Sequence, residues 1–179
     1  MKKTNRFALA LIAGVLSFSI ATSAAPFGNK DDISFAKSLW SALQKAEFIG
    51  PKRINVRPFE GNEPHGAIQQ VLGKTLTVGD KTGKVLVKVN HGGKDASVAT
   101  VYDNPNKFLG AYTVMFKREA GYDTKNKDWF WAKYTKDGAL AKNPKGMQLA
   151  GRVAKGAEKG CIFCHTAAGG EDLETLTEK

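Results

Sequence analysis

The chain has 179 residues, a net charge of +10, a hydrophobic share of 42% and only two cysteines. That much apolar residue supports one domain with its own core and excludes both a disordered tail and a disulfide-framed miniprotein. No Lys/Arg run or basic helix gathers the charge, so it reads as a solvated basic surface; nucleic acid is not an expected partner, and a small acidic redox protein is the weaker reading.

The first 24 residues, MKKTNRFALALIAGVLSFSIATSA, start with Lys2, Lys3 and Arg6, run apolar from Phe7 to Ile20 and close on small residues at Thr22 and Ala24. Basic, then apolar, then small is the order of a secretory signal peptide, and the apolar run falls short of the about 20 residues that a membrane span needs. The sequence therefore predicts a leader over 1–24, one domain over 25–179, a periplasmic location and no membrane attachment after cleavage. Losing the three basic residues takes the net charge from +10 to +7.

Asp31 and Asp32 offer an N-cap, and Ile33, Ala36, Leu39, Trp40 and Leu43 recur at helical spacing, which predicts an amphipathic helix over about 32–47. From Arg53 the pattern becomes short β-prone runs: INVRPF (54–59), AIQQVLG (67–73), TLTV (75–78), KVLVKVN (84–90), SVATVY (97–102), YTVMFK (112–117) and WFWAKY (129–134). Turn compositions such as GDKTG, NHGGKD and DNPNK separate them, leaving no room for crossover helices. The expected fold class is mainly β (α+β): an antiparallel sheet with an N-terminal helix and a short C-terminal helix. Within KVLVKVN, Val85, Val87 and Val89 share one face, and Leu86 and Lys88 the other. Trp129 and Trp131 likewise oppose Phe130. After Pro144, GMQLAGRVAKGAEKG reads as one or two short, Gly-interrupted helices leading to the C-terminal motif, and the EDLETLTEK tail reads as polar and frayed.

That motif is Cys161-x-x-Cys164-His165. Its spacing suits addition of both thiols to the vinyl groups of one haem c, with His165 as the proximal iron ligand. A redox disulfide is the main competitor, but such motifs usually open a helix after a strand in a βαβ unit. Zinc would need a fourth ligand and does not favour this histidine spacing. As an iron ligand, His165 would bind through one nitrogen, the other being oriented by an acceptor that the sequence does not name.

A sixth ligand is harder to find. The 14 residues after His165 contain no methionine, and between Ala25 and the motif only Met115 and Met147 occur. Met115 reads as core and Met147 as a surface cap, while His65 and His91 fall in turn-like segments and read as solvated loop histidines. The expectation is a five-coordinate iron with an open face. A helical bundle of the cytochrome c′ type does not fit the strand-rich middle of the chain.

The block YTVMFKREAGYDTKNKDWFWAKYTKDG (112–138), followed by NPKGMQLAGRVAKGAEKGCIFCH (143–165), resembles the cytochrome P-460 family, which includes the β-sheet cytochromes c′. The resemblance covers about residues 50–168 and is most specific in GYD, DWFWAKY and CIFCH. It implies a mostly antiparallel sheet, a His-ligated haem c and a homodimer. In members named for their unusual absorption, a strand lysine is bonded to the porphyrin edge, and GKVLVK (83–88) places Lys88 in that position. Where the family's hydroxylamine-oxidising members carry a distal carboxylate, the resemblance places Phe116, which would instead act as an apolar distal cap. Glu119 has the wrong strand parity to replace the carboxylate.

These readings favour an exported haem c protein that binds nitric oxide or a related small nitrogen species. Hydroxylamine oxidation with a Lys88–haem bond is the enzymatic alternative, and a periplasmic electron carrier is the third. Lys117 and Arg118 are weaker candidates for the haem propionates, surface charge being the plainer role.

Overall fold

The computed structural model describes residues 27–174; the expected leader over 1–24 lies outside them. Helix α1 (Lys30–Lys45) lies within two residues of its expected span, but Asn29 caps it: its side-chain oxygen accepts from the backbone N–H groups of Asp31 and Asp32, both at 2.9 Å. Asp31 and Asp32 sit inside the first turn instead, where negative charge favours the helix dipole.

Six strands follow: β1 (Phe59–Glu60), β2 (Ile68–Val78), β3 (Lys81–His91), β4 (Leu109–Lys117), β5 (Trp129–Thr135) and β6 (Ala150–Gly151). They form one sheet in chain order with every neighbouring pair antiparallel, so the expected fold class holds. The two runs 67–73 and 75–78 are one continuous strand. Gly73 does not break it; a Cβ there would lie 2.8 Å from Leu86 Cδ2, so the glycine admits a close approach from β3. In INVRPF only Phe59 is in a strand, because Pro58 cannot donate to a ladder.

SVATVY is a helix, α2 (Val98–Asp103), and not a strand. Ser97 and Thr100 build a capping box: Ser97 Oγ accepts from the Thr100 N–H at 3.2 Å, and Thr100 Oγ1 accepts from the Ser97 N–H at 2.9 Å. That local gain and the burial of Val101 beside Ile68 and Phe108 outweigh the β preference of its valines. Residues 144–160 also depart from expectation. They carry the short edge strand β6 and turns, and helix begins only at α3 (Cys161–Ala168). Gly146, Gly151, Gly156 and Gly160 all adopt positive φ, which interrupts any helix upstream of the motif.

Strand register divides the sheet into two faces. The rows Val85–Phe116–Phe130, Val87–Val114–Ala132 and Val89–Tyr112–Tyr134 belong to one cluster, packed with Ala36, Leu39 and Leu43 of α1. Rows of opposite parity, Leu86–Met115–Trp131 and Lys88–Thr113–Lys133, look the other way. The expected parities of the β3 valines and of Trp129, Phe130 and Trp131 match this division. On the second face Leu86, Met115, Trp129 and Trp131 pack with Val153 and Ile162, bringing α3 over the sheet. Among the described residues no helix is long and apolar enough to cross a membrane.

Candidate functional site

Helix α3 carries Cys161 in its first turn, Cys164 one turn later and His165 beside it. The face that packs on the sheet takes Ile162 and His165, both nearly buried, and leaves Cys164 exposed. Burial drives the Cys161 thiol up to about 11. That is the reverse of what a redox-active thiol needs and weighs against a thiol–disulfide site. No group of three or more His, Cys, Asp or Glu side chains placed to hold a metal ion occurs among the described residues.

The imidazole of His165 is held on two sides. Its Nδ1 lies 2.8 Å from the Leu173 carbonyl oxygen; a carbonyl can only accept, so Nδ1 carries the proton and Nε2 keeps its lone pair. The Trp131 ring meets it edge to face, with centroids 4.7 Å apart. Burial, followed by the Lys88 charge, lowers the pKa of His165, and the Leu173 hydrogen bond partly opposes this. The ring is therefore neutral and oriented, the state in which a histidine binds a metal.

Three spaces meet at this imidazole. An open cleft of about 710 Å³ contains both cysteines and His165 and falls within the usual size range of cofactor sites. Its walls are mainly apolar, with Phe27, Met147, Leu149 and Val153, and its rim holds Lys133, Lys145, Lys155 and Lys159. Of these, Lys133, Lys145 and Lys159 suit the two carboxylates of a haem, Lys155 being paired with Asp123. A cavity of about 20 Å³, roughly one water, is bounded by His65, Lys88, Thr113, Met115, Trp131 and His165. A third space of about 200 Å³ opens towards Glu63 and Pro64 and again reaches His65, Lys88 and His165. Trp131 Nε1 is buried without a hydrogen-bond partner among the described residues, as expected where a bound group completes the site. Vinyl-spaced thiols, an oriented imidazole, a cleft of suitable size and a cationic rim together fit a haem.

Lys88, expected near the porphyrin edge, lines both smaller spaces, and burial lowers its pKa. Phe116 does not reach the site. It is 0% exposed on the α1 face, edge-on to Phe35 at 5.4 Å, in the row of opposite parity to Lys88. The distal-cap role is corrected accordingly, because a one-residue offset along a strand reverses the face. Lys117 and Arg118 are engaged elsewhere: Lys117 with Asp172 at 2.5 Å, and Arg118 with Glu119 at 2.9 Å, its guanidinium over Phe35 and Tyr122. GYD is structural. The Tyr122 carbonyl accepts from Arg152, and Asp123 accepts from Asn126 and Lys155.

His65 was missed. Its ring centroid is 6.1 Å from that of His165, and its Nδ1 shares a hydrogen bond with Thr113 Oγ1 at 3.1 Å. Burial first, then the charges of Lys88, His165 and Lys133, push its pKa down to about 4. The only sequence signal was the position of His65 immediately before β2, where an ordered loop can fold back across the sheet. His91 is no loop histidine either: 1% exposed, its Nε2 is 3.0 Å from Gln70 Oε1, remote from α3. Met115 and Met147, read as core and surface, both border the site, Met115 in the small cavity and Met147 in the cleft. Comparison with family models, curated proteins and solved structures finds no match. The P-460 resemblance therefore rests on the motifs quoted above.

Proposed function

We propose that this chain is an exported haem c protein, linked through Cys161 and Cys164 and ligated by His165, that binds nitric oxide or a related small nitrogen species. The observation that carries this reading is the imidazole of His165: proton on Nδ1, lone pair on Nε2, buried at the edge of a cleft that both cysteines enter. A haem bound there would supply an iron able to take a small ligand and to exchange electrons. The chain's own residues do the rest. Leu173 O fixes the tautomer of His165, Trp131 limits rotation of its ring, and the cleft lysines offer charge to carboxylates. Thr113 Oγ1 and His65 Nδ1 share a hydrogen bond, which leaves Nε2 of His65 to meet a polar ligand.

One experiment tests this reading: intact mass and absorption spectra of the protein made in a haem-attaching host, before and after adding nitric oxide. A mass increment of one haem, lost in Cys161→Ser/Cys164→Ser, and a high-spin spectrum that responds to nitric oxide are expected. A chain without haem sinks the reading. A low-spin spectrum indifferent to nitric oxide would favour the carrier instead, with Met147 or a histidine such as His65 as the sixth ligand.

A second reading, hydroxylamine oxidation with electrons leaving to a small redox protein, is favoured by the shared cavity of Lys88, His65 and Thr113. There His65 is a proton-handling group. It predicts that the spectrum is red-shifted and that Lys88→Ala returns it to that of an ordinary haem c.

A further inference from the structure

The last described residues bear on His165 more directly than their polar composition suggests. Residues 171–174 form a strap that returns from α3 to the sheet through Gly169 and Gly170, at φ 72° and 92°. Asp172 and Leu173 then follow at φ 56° and 62°. Glycine adopts such angles freely, but leucine does so against the crowding of its own Cβ, and strained backbone of this kind persists only where its surroundings over-determine it.

Here the surroundings do so with charge. Lys84 Nζ from β3 reaches both Glu174 carboxylate oxygens, at 2.6 and 2.7 Å. Lys117 Nζ at the end of β4 meets Asp172 Oδ1 at 2.5 Å and lies 4.8 Å over the Trp129 ring. Trp129 Nε1 donates to the Asp172 carbonyl at 2.7 Å, and the Leu173 side chain packs into the Trp129–Trp131 cluster. Isolated exposed ion pairs contribute little, but these two bracket one residue, and the Glu174 side chain is only 16% exposed. The residue they bracket is Leu173, whose carbonyl accepts from His165 Nδ1 at 2.8 Å.

We propose that the strap is a positioning element for the axial imidazole, and that the pairs Lys84–Glu174 and Lys117–Asp172 hold the Leu173 carbonyl on His165 Nδ1. A held acceptor raises the electron donation of Nε2, so the two pairs lower the reduction potential of a bound haem and keep His165 attached when a ligand binds opposite it. This consequence rests on the haem reading above; the clamp itself does not. It also makes the site sensitive to ionic strength, since the screening length falls from about 10 Å at 0.1 M salt to about 3 Å at 1 M.

The test compares wild type, the double variant Asp172→Asn/Glu174→Gln, the charge swap Lys84→Glu/Glu174→Lys, and Asp137→Asn, which removes an unrelated surface pair with Lys136. In the holoprotein the double variant should show a lower iron–histidine stretching frequency, a raised reduction potential and about tenfold more loss of His165 on adding nitric oxide. Wild type in 1 M salt should move the same way, the charge swap should return towards wild type, and Asp137→Asn should change nothing. In the apoprotein, NMR should find the His165 Nδ1 proton protected from exchange in wild type and unprotected in the double variant. If the double variant does not fold, the salt series on wild type stands in for it. Unchanged frequency, potential and proton protection in both the variant and high salt would overturn the clamp. A wild type without haem whose Nδ1 proton still depends on the two pairs would overturn the haem reading and leave the clamp standing.

Discussion

The two faces of the sheet are built from the same three strands, yet they are filled differently. On the α1 face, Phe116 meets Phe35 at 5.4 Å and Phe35 meets Phe130 at 4.8 Å, while Tyr134 Oη donates to the Ala36 carbonyl at 2.8 Å and Tyr112 Oη accepts from the Gly50 N–H at 3.4 Å. On the α3 face the alternate residues are Lys88, Thr113 and Lys133, the Trp131 indole N–H has no partner among the described residues, and a cleft reaches both cysteines. A close-packed face gains its stability from burial, whereas a face that borders a cleft leaves part of its surface for a bound group. The contrast puts the close-packed α1 core on one side of β3–β5 and the cleft on the other.

The contrast can be broken by variants that should affect one face only. Phe116→Ala opens a cavity in the α1 core and should lower unfolding stability by about 3–5 kcal/mol in urea titrations, with nitric oxide binding rates unchanged. A matching change in ligand binding would mean that Phe116 acts across the sheet after all. A pH effect should come next. Burial, then the Arg53 charge, hold buried His91 down at about 4, below its unfolded value of 6.5. The unfolded chain therefore binds the extra proton between those values. Stability is complete above pH 6.5 and falls as the pH drops towards 4, and His91→Gln should flatten that part of the curve. Tyr134→Phe, which removes only the hydroxyl bonded to Ala36, should cost about 1 kcal/mol and leave the spectrum of the holoprotein unaltered.

Much of this division was legible in the chain. Alternation fixed which β3 residues share a face with Lys88, because strand side chains reverse every residue and burial on one side enforces the register. Phe116 was misassigned by aligning a motif without carrying its parity through to Lys88 across the β3–β4 pairing. SVATVY was misread because valine content outweighed a capping box that was also present in the letters, Ser97 followed by Thr100. Residues 171–174 of the polar tail looked frayed because their partners, Lys84 and Lys117, lie 90 and 55 residues from Glu174 and Asp172; residues 175–179 of that tail lie outside the described residues.

The amino-acid order by itself therefore determined the strand periods, the helix over α1 and the pairing of two thiols with a histidine. All of these depend on neighbours within one or two turns or one strand. Only the tertiary structure decided that His65 stands beside His165, that Leu173 supplies the acceptor for its Nδ1, and that Phe116 faces away. Each of those follows from bringing separate segments onto one face of the sheet, where strand register and the packing of α3, not local spacing, set which side chains meet.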